Sequence, residues 1–196
     1  RPKISIITTF YEAEEYLEGF LQNITTQTIF DQCELLMVDT ASPGNEQKMV
    51  QESMSKYSQI KYMRYDERRP PTEGINLALK EASGDYITFA FLDDRKSRKC
   101  LEILLTEIEK NDTIDLVYGD TLKTTVKNDT FENSKASKKF SHSMAEYSPE
   151  NMVKCLPGPM PLWRKRIHER CGFFDQDGCD YADDWEMWLR AVSTGS

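Results

Sequence analysis

Short apolar runs rich in β-branched residues alternate with segments of helical periodicity along the chain, and this alternation limits the folds open to it. Strands are predicted at residues 4–7, 35–38, 60–63, 86–92 and 114–118, and helices at 14–22, 49–54, 75–82 and 101–108. Elements in this order form right-handed crossovers, which build a mainly parallel sheet with helices on both faces. The sequence therefore predicts an α/β fold.

The rest of the chain is less regular. Residues 123–148 are polar and charged, which is typical of a β-hairpin arm or a mobile loop. A short helix is predicted at 165–170 and a final amphipathic helix at 184–192, with Trp188 and Leu189 buried. A length of 196 residues suits a single domain.

Composition excludes several classes of partner. Acidic residues outnumber basic ones by 33 to 25, and the net charge of −8 opposes attraction to nucleic acid or anionic lipid. No stretch is apolar enough for a membrane span or a signal-peptide core. Five cysteines without a C-x-x-C pair indicate neither a disulfide framework nor a zinc site, so a cytoplasmic setting is expected.

Polar residues follow the predicted strands where a parallel α/β sheet binds its ligands, outside the carboxyl ends of the strands. Thr9 and Tyr11 follow the first strand, Asp39 the second, and Asp93 and Asp94 the fourth. Asp39 could accept hydrogen bonds from the N–H groups of a nucleobase. Taken alone, it is better interpreted as the residue that starts the turn formed by the Ser-Pro-Gly after it.

Asp93 and Asp94 form an adjacent carboxylate pair whose repulsion a divalent cation would relieve, and their hard oxygen ligands suit Mg²⁺ or Mn²⁺. The alternative is structural: Asp94 caps the next helix and Asp93 lies in a turn. The basic run at 95–99 could favour phosphate, although such runs more often form solvated faces.

Asp183, Asp184 and Glu186 stand at the start of the last helix. Acidic residues there usually cap the helix, and a partly desolvated carboxylate could instead serve as a general base. His142 and His168 have no partner at metal-ligand spacing and are interpreted as structural or exposed.

In this order the segments resemble the GT-A family of inverting glycosyltransferases, which use nucleotide sugars. The resemblance covers nearly the whole chain: an opening strand and turn (4–12), a second strand with its base-binding Asp (36–42), the helix and strand before the metal motif (74–79, 84–87), the metal motif (92–95), a segment found in a bacterial subgroup (158–164) and the catalytic-base segment (182–186). One position departs from the family, because Phe91 stands where an Asp or Asn is usual.

The resemblance implies transfer of a sugar from a nucleotide diphosphate donor, a UDP-sugar foremost, to a glycan or lipid-linked hydroxyl acceptor in cell-surface glycan or polysaccharide biosynthesis. It implies Asp184 as the catalytic base, with Asp183 as the runner-up, and Mg²⁺ or Mn²⁺ held by Asp93 and Asp94. The donor contacts that it implies are Thr8, Thr9, Tyr11, Asp39, Asn76 and Asp93.

By the same resemblance, residues 1–120 form a nucleotide-binding half and 121–196 an acceptor and catalytic-base half of one domain. We expect a piece of a longer protein, associated with a membrane only through parts outside this sequence. The alternative function is a sugar-nucleotide or glycan-binding domain of the same fold with impaired catalysis, which the change at Phe91 favours. A nucleotidyltransferase is disfavoured, because the first loop lacks glycine and basic residues.

Overall fold

A computed structural model of the chain describes residues 1–134, 146–175 and 183–195. Its strands are β1 (Ile4–Phe10), β2 (Cys33–Asp39), β3 (Ile60–Arg64), β4 (Tyr86–Phe89), β5 (Leu116–Val117) and β6 (Leu162–Arg164). Its α-helices are α1 (Glu14–Thr25), α2 (Glu46–Met54), α3 (Pro71–Glu81), α4 (Cys100–Glu109), α5 (Ile167–Cys171) and α6 (Asp183–Ser193). Two 3₁₀ helices lie at Phe30–Gln32 and Glu150–Val153.

The strands form one sheet in the order β3-β2-β1-β4-β6-β5. The first four are mutually parallel, whereas β6 runs antiparallel to both β4 and β5. The mainly parallel sheet is therefore confirmed, with two antiparallel pairings at one side. The predicted fifth strand is reduced to Leu116–Val117, and it reaches the sheet only through β6.

Helices cover both faces of the sheet, as predicted, because the buried strands are apolar on both sides. In β1, Ile4 and Ile6 pack into the core beneath α1, α2 and α4, whereas Ile7 packs into a second core beneath α3, α5 and α6. The same alternation separates Leu35 from Leu36 in β2. Continuous apolar strands of this kind are typical of parallel sheets buried on both faces.

Two local predictions differ from the structure, and a third left two alternatives open. The fourth strand ends at Phe89 instead of residue 92, because the chain turns back at a hydrogen bond from Asp94 N to Phe91 O (3.1 Å). Leu189 is 42% exposed, since α6 buries the face carrying Met187, Trp188 and Ala191. Residues 123–134 contain turns and no strand, which agrees with a loop rather than a hairpin arm over this part of the predicted 123–148 segment, and 135–145 lie outside the described residues.

Glu34 ties the strands together at the amino end of the sheet. Its carboxylate, 5% exposed, accepts hydrogen bonds from Ser5 Oγ (2.6 Å), Lys61 Nζ (2.7 Å) and both the N–H and Oγ of Ser83 (2.7 and 2.9 Å). Burial alone would raise the pKa of Glu34, but these hydrogen bonds outweigh burial and lower the pKa to about 2. One buried side chain thus connects β1, β2, β3 and the turn before β4.

The sequence predicts that the two histidines are structural or exposed and that the cysteines form no disulfide framework. His168 accepts a hydrogen bond from Trp163 Nε1 (3.0 Å) and its Nδ1 lies 2.8 Å from Gly172 O, which agrees with a structural role. The four cysteines that the structure describes are free thiols. His142 and Cys179 lie outside the described residues.

Candidate active site

The carboxyl ends of the parallel strands bring the predicted ligand residues to one edge of the sheet. β1 lies between β2 and β4, so the segments after Phe10, Asp39 and Phe89 are neighbours. Thr40 closes the gap between the first two segments, because its N–H and Oγ1 both donate to Phe10 O (2.9 and 3.1 Å). The edge is therefore held together before any ligand arrives.

Asp39 is fully buried and holds this edge in shape. Its Oδ1 accepts the N–H of Ser42 (2.7 Å), and its Oδ2 accepts the hydroxyl of Tyr62 (2.6 Å) and a hydrogen bond from Arg64. Arg64 also donates to Ser42 O (2.9 Å). Asp39 thus starts the turn, as interpreted from the sequence. A nucleobase could reach its carboxylate only after the groups that donate to it move.

Two threonines of β1 carry hydroxyl groups with unused hydrogen-bonding capacity. Thr8 Oγ1 and Thr9 Oγ1 are buried and have no partner among the described residues. Thr9 lies against Gly74 of α3, where an added Cβ would come 2.5 Å from its Oγ1. A buried hydroxyl without a partner is destabilising by about 1–3 kcal/mol, so either oxygen would gain from a hydrogen bond to water or a ligand, which could reach it only after neighbouring groups move.

Tyr11 extends the edge beyond β1. The guanidinium carbon of Arg68 lies 3.5 Å from the centre of the Tyr11 ring. Glu12 joins the end of β1 to the turn after β2, because its N–H donates to Ser42 Oγ (3.1 Å). Glu12 has a φ of 49° and Ala41 a φ of 70°, left-handed values that non-glycine residues adopt mainly in tight turns.

The acid pair lies four and five residues beyond the end of β4. Asp93 is exposed and Asp94 half-buried, and the pKa of Asp94 is raised to about 6 by burial and by the nearby charge of Asp93. The capping alternative for Asp94 is wrong, because α4 begins at Cys100 and Lys99 occupies its cap position. The acids therefore stand in an irregular loop at the ligand edge.

The basic run after the acids is not a solvated face over its whole length. Arg95 donates to the carbonyl groups of Leu92 and Asp94, both at 2.7 Å, and Lys96 is only 2% exposed. Arg98 and Lys99 alone are exposed. The first two cations of the run are thus structural or functional parts of the loop.

The residues present suit a divalent cation only in part. Within residues 1–134, 146–175 and 183–195, no three His, Cys, Asp or Glu side chains come together as a metal site. Phe91 supplies no ligand because its side chain has no donor atom, and its ring stacks on Phe89 at 5.5 Å between centroids. Two carboxylates are nevertheless enough for Mg²⁺ when substrate phosphates and water complete its coordination.

The start of α6 is fixed to the same edge of the sheet. Thr72, buried in the first turn of α3, donates its hydroxyl to Asp183 Oδ2 (2.6 Å). Pro71 begins α3, a position that suits proline because the missing N–H would be unpaired there. Since α3 follows the carboxyl end of β3, this bond brings the acids of α6 to the ligand edge.

Asp184 has different surroundings from Asp183. Its Oδ1 accepts the N–H of Trp185 (2.8 Å), and Cys155 Sγ lies 3.6 Å from its Oδ2. Burial, with the Asp184 charge beside it, raises the pKa of the Cys155 thiol to about 12, so the thiol stays protonated as a weak donor. Trp185 Nε1 also donates to Met152 O (2.8 Å), which ties the 3₁₀ helix at Glu150–Val153 to α6.

Asn76 is placed differently from the other predicted donor contacts. Its amide donates to Phe174 O (2.8 Å) and accepts from Phe174 N (3.0 Å), and the residue is 5% exposed. Its polar atoms therefore bridge α3 to the segment before α6. The donor contact implied for Asn76 stays a prediction.

Four residues that sequence reasoning missed contribute to this edge: Tyr62, Arg64, Thr72 and Cys155. Tyr62 and Arg64 are two residues apart in β3 and carry polar groups towards its carboxyl end. This pattern is a weak signal for a polar partner on β2. The other two make contacts across long sequence separations, and their own neighbourhoods give no signal.

A parallel α/β sheet with acidic residues from β2, the loop after β4 and α6 at one edge defines a domain of the GT-A glycosyltransferase class. The chain belongs to glycosyl transferase family 2, whose family model, described as "Glycosyl transferase family 2", matches residues 5–172. The resemblance seen in the sequence is thereby confirmed.

Solved structures share the fold at low sequence identity. The chain is similar to Staphylococcus aureus TarS 1–349 in complex with UDP, with a TM-score of 0.79 and 19% identity over 96% of this chain and 54% of that one. It is also similar to the mannosyltransferase PcManGT from Pyrobaculum calidifontis in complex with GDP-Man and Mn²⁺, with a TM-score of 0.72 and 19% identity over 100% of this chain and 53% of that one.

Among curated relatives, the teichoic acid poly(glycerol phosphate) polymerase of Staphylococcus epidermidis is 30% identical over 56% of this chain and 15% of its own length. The uncharacterized glycosyltransferase YwdF of Bacillus subtilis is 26% identical over 97% of this chain and 68% of its own length. The chain thus spans a small part of the first relative and about two thirds of the second. None of the helices described is long and apolar enough to cross a bilayer.

Proposed function

We propose that this domain transfers a sugar from a nucleotide diphosphate sugar to a hydroxyl group of a glycan or lipid-linked acceptor, with inversion at the anomeric carbon. The hydrogen bond from Thr72 to Asp183 carries the proposal, because it holds Asp184 at the edge where Asp39 and Asp93 lie. Similar structures are complexes with UDP, UDP-GlcNAc and GDP-Man, which supports a nucleotide-sugar donor and, foremost, a UDP-sugar.

In this proposal Asp184 removes the proton of the acceptor hydroxyl as its oxygen attacks the anomeric carbon. The bond to that carbon forms on one face while the bond to the diphosphate oxygen breaks on the other. Asp183 is less suited to this role, because one of its oxygens accepts the short hydrogen bond from the buried Thr72 hydroxyl. It acts instead as the anchor that positions its neighbour.

The nucleoside end of the site lies at β1 and β2. The unpaired hydroxyls of Thr8 and Thr9 and the ring of Tyr11 offer hydrogen bonds and a flat surface there. Asp39 shapes the turn beneath them. At the other end, Asp93 and Asp94 would hold Mg²⁺ or Mn²⁺ together with the donor phosphates, and such an ion stabilises the charge of a leaving diphosphate.

Asp184→Asn tests the proposal, with Asp183→Asn as the matched control. Loss of a general base lowers turnover roughly 10²–10⁴-fold, whereas the amide keeps the size of the side chain. We expect sugar transfer by the protein to collapse in Asp184→Asn, with nucleotide affinity and melting temperature close to those of the parent. Full activity in this variant would exclude Asp184 as the base, and Asp183 would take its place in the proposal.

A second candidate function is a nucleotide-sugar-binding or glycan-binding domain with impaired catalysis. Phe91 and the two-carboxylate metal site favour it, because both weaken the hold on a catalytic ion. Donor hydrolysis in the presence of Mn²⁺ separates the two functions. Tight nucleotide binding without hydrolysis or transfer would favour the binding domain.

A further inference from the structure

A cavity of about 130 Å³ lies beside the acid pair. Its walls come from residues 93–97 with Cys100, from residues between 120 and 134, and from Met160. These segments follow β4 and β5 and precede β6, so the cavity lies across the acid pair from Asp39 at the end of β2. A cavity of roughly 150 Å³ holds a molecule the size of benzene, and this one has room for a small ligand.

Lys96 contributes a buried cation without a partner to this cavity. The residue is 2% exposed, and its Nζ has no hydrogen-bond partner among the residues described. Its backbone is clamped by Asn23, whose side chain accepts from Lys96 N and donates to Lys96 O, both at 2.8 Å. The charge of Asp94 acts on this group, but burial of an ammonium without a hydrogen bond is still unfavourable, so the fixed position favours an anionic ligand.

Two more hydrogen-bond donors of cavity residues are unused. Arg95 Nε and Thr130 Oγ1 are buried and make no hydrogen bond within the described part of the chain. With Lys96 they give the walls of the cavity two cationic side chains and one hydroxyl, and the unpaired atoms of all three are buried within those walls. Phosphoryl oxygens accept hydrogen bonds from such donors, and the bonds are strong because the groups are charged.

Acidic side chains also line the walls of this cavity. Asp93, Asp94 and Asp120 line the cavity with carboxylates, which accept hydrogen bonds from hydroxyl groups. Asp129 already accepts the hydroxyls of Thr124 (2.8 Å) and Ser134 (2.9 Å), so it is largely committed to the protein. A bare phosphate would face the three remaining acids, whereas a ligand with both a phosphoryl group and hydroxyls would satisfy both kinds of wall.

We propose that this cavity binds a phosphorylated polyol that accompanies the donor nucleotide as part of the acceptor. Its phosphoryl group would accept from Lys96 and Thr130, and its hydroxyls would donate to Asp120. The link to sugar transfer rests on the function proposed above. The binding site itself rests only on the cavity and its unpaired donors.

Titration calorimetry with glycerol 3-phosphate, inorganic phosphate and glycerol tests the site without turnover. Lys96→Met removes the cation at similar size, and Lys99→Met removes an exposed cation of the same run as the matched control. We expect glycerol 3-phosphate to bind most tightly and Lys96→Met to weaken it about tenfold or more, since hydrogen bonds to charged groups are strong. Unchanged affinity in Lys96→Met would overturn the proposal.

Thermal unfolding of the free protein adds an independent readout. Lys96→Met should melt no lower than the parent, because it removes an unpaired buried charge. A marked fall in melting temperature would show that Lys96 has a structural partner, and the proposal would be wrong. Thr130→Val is the second variant: it should also weaken glycerol 3-phosphate binding, and unchanged affinity would remove the hydroxyl from the site.

Saturating UDP distinguishes the two sources of a phosphoryl group. Unchanged binding of glycerol 3-phosphate in its presence supports a separate phosphorylated acceptor. Competition would overturn that assignment and give the cavity to the diphosphate of the donor. Failure of the proposed function, seen as neither donor hydrolysis nor sugar transfer by the parent protein, would leave these binding results unchanged, so the two proposals fail separately.

Discussion

Glu34→Gln should make the protein less stable at neutral pH and remove part of its acid sensitivity. The pKa of Glu34 is about 2 in the folded chain against an ordinary value of 4.5. At about 1.4 kcal/mol per pKa unit, this difference corresponds to roughly 3 kcal/mol. Because Lys61, one of its partners, is 53% exposed, screening by solvent reduces the figure, and we expect about 2–3 kcal/mol.

The sign of the pH dependence follows from the lowered pKa. The contribution is fully present above the ordinary pKa of 4.5 and is lost as pH falls towards 2, where the folded-state carboxylate takes up a proton. An amide in its place cannot ionise, and its NH₂ group would face the N–H of Ser83 or the ammonium of Lys61. The difference between parent and variant should therefore be large at pH 7 and shrink between pH 4 and pH 2.

Urea unfolding at a series of pH values measures this difference. Glu52→Gln is the matched control, because Glu52 is exposed on α2. We expect the control to follow the parent at every pH. If Glu34→Gln and Glu52→Gln gave parallel stability curves, the reasoning that hydrogen bonds hold the Glu34 carboxylate ionised would be refuted.

Three further predictions concern the ligand edge. Asp39→Asn should lower the free energy of unfolding by about 2–4 kcal/mol in urea titrations, since it removes the charge of a buried carboxylate paired with the partly exposed Arg64, while exposed Asp66→Asn should not. Asp93→Asn should abolish any tightening of UDP binding by Mn²⁺ in calorimetry, and a parent indifferent to chelator would contradict the metal site. Thr72→Val should cost about 1 kcal/mol of stability and reduce turnover more than nucleotide affinity, because it releases Asp183; equal losses of both would count against the anchor.

Much of the fold could be predicted because its signals are local. Apolar runs and helical periodicity are read within a few residues, and the predicted elements of the first half agree with β1 to β4 and α1 to α4 apart from their ends. The end of β4 was missed because Phe91 and Leu92 are apolar as a strand would be. Their burial comes from packing after the chain has left the sheet, with Leu92 in one core and Phe91 beside the other.

The site was less accessible to sequence reasoning. Thr72 and Asp183 are 111 residues apart, and nothing near either of them indicates the other. Lys96 stands among other cations, so its charge pattern indicates a solvated surface. The structure shows instead that its side chain is buried and that Asn23 holds its backbone. Strand-end positions were informative because parallel topology alone brings them together.

The position of β6 has a consequence for how the chain folds during synthesis. β6 lies between β4 and β5, although β5 precedes it in the sequence, and among the described strands β5 pairs only with β6. A nascent chain that has emerged as far as β5 can assemble the parallel strands, but β5 has no neighbour to join until Leu162–Arg164 leaves the ribosome. Until then β4 is an open edge, to which another chain could add. A chain cut near residue 120 should therefore form an incomplete, aggregation-prone sheet. The two fragments should form the complete sheet only when they are expressed together.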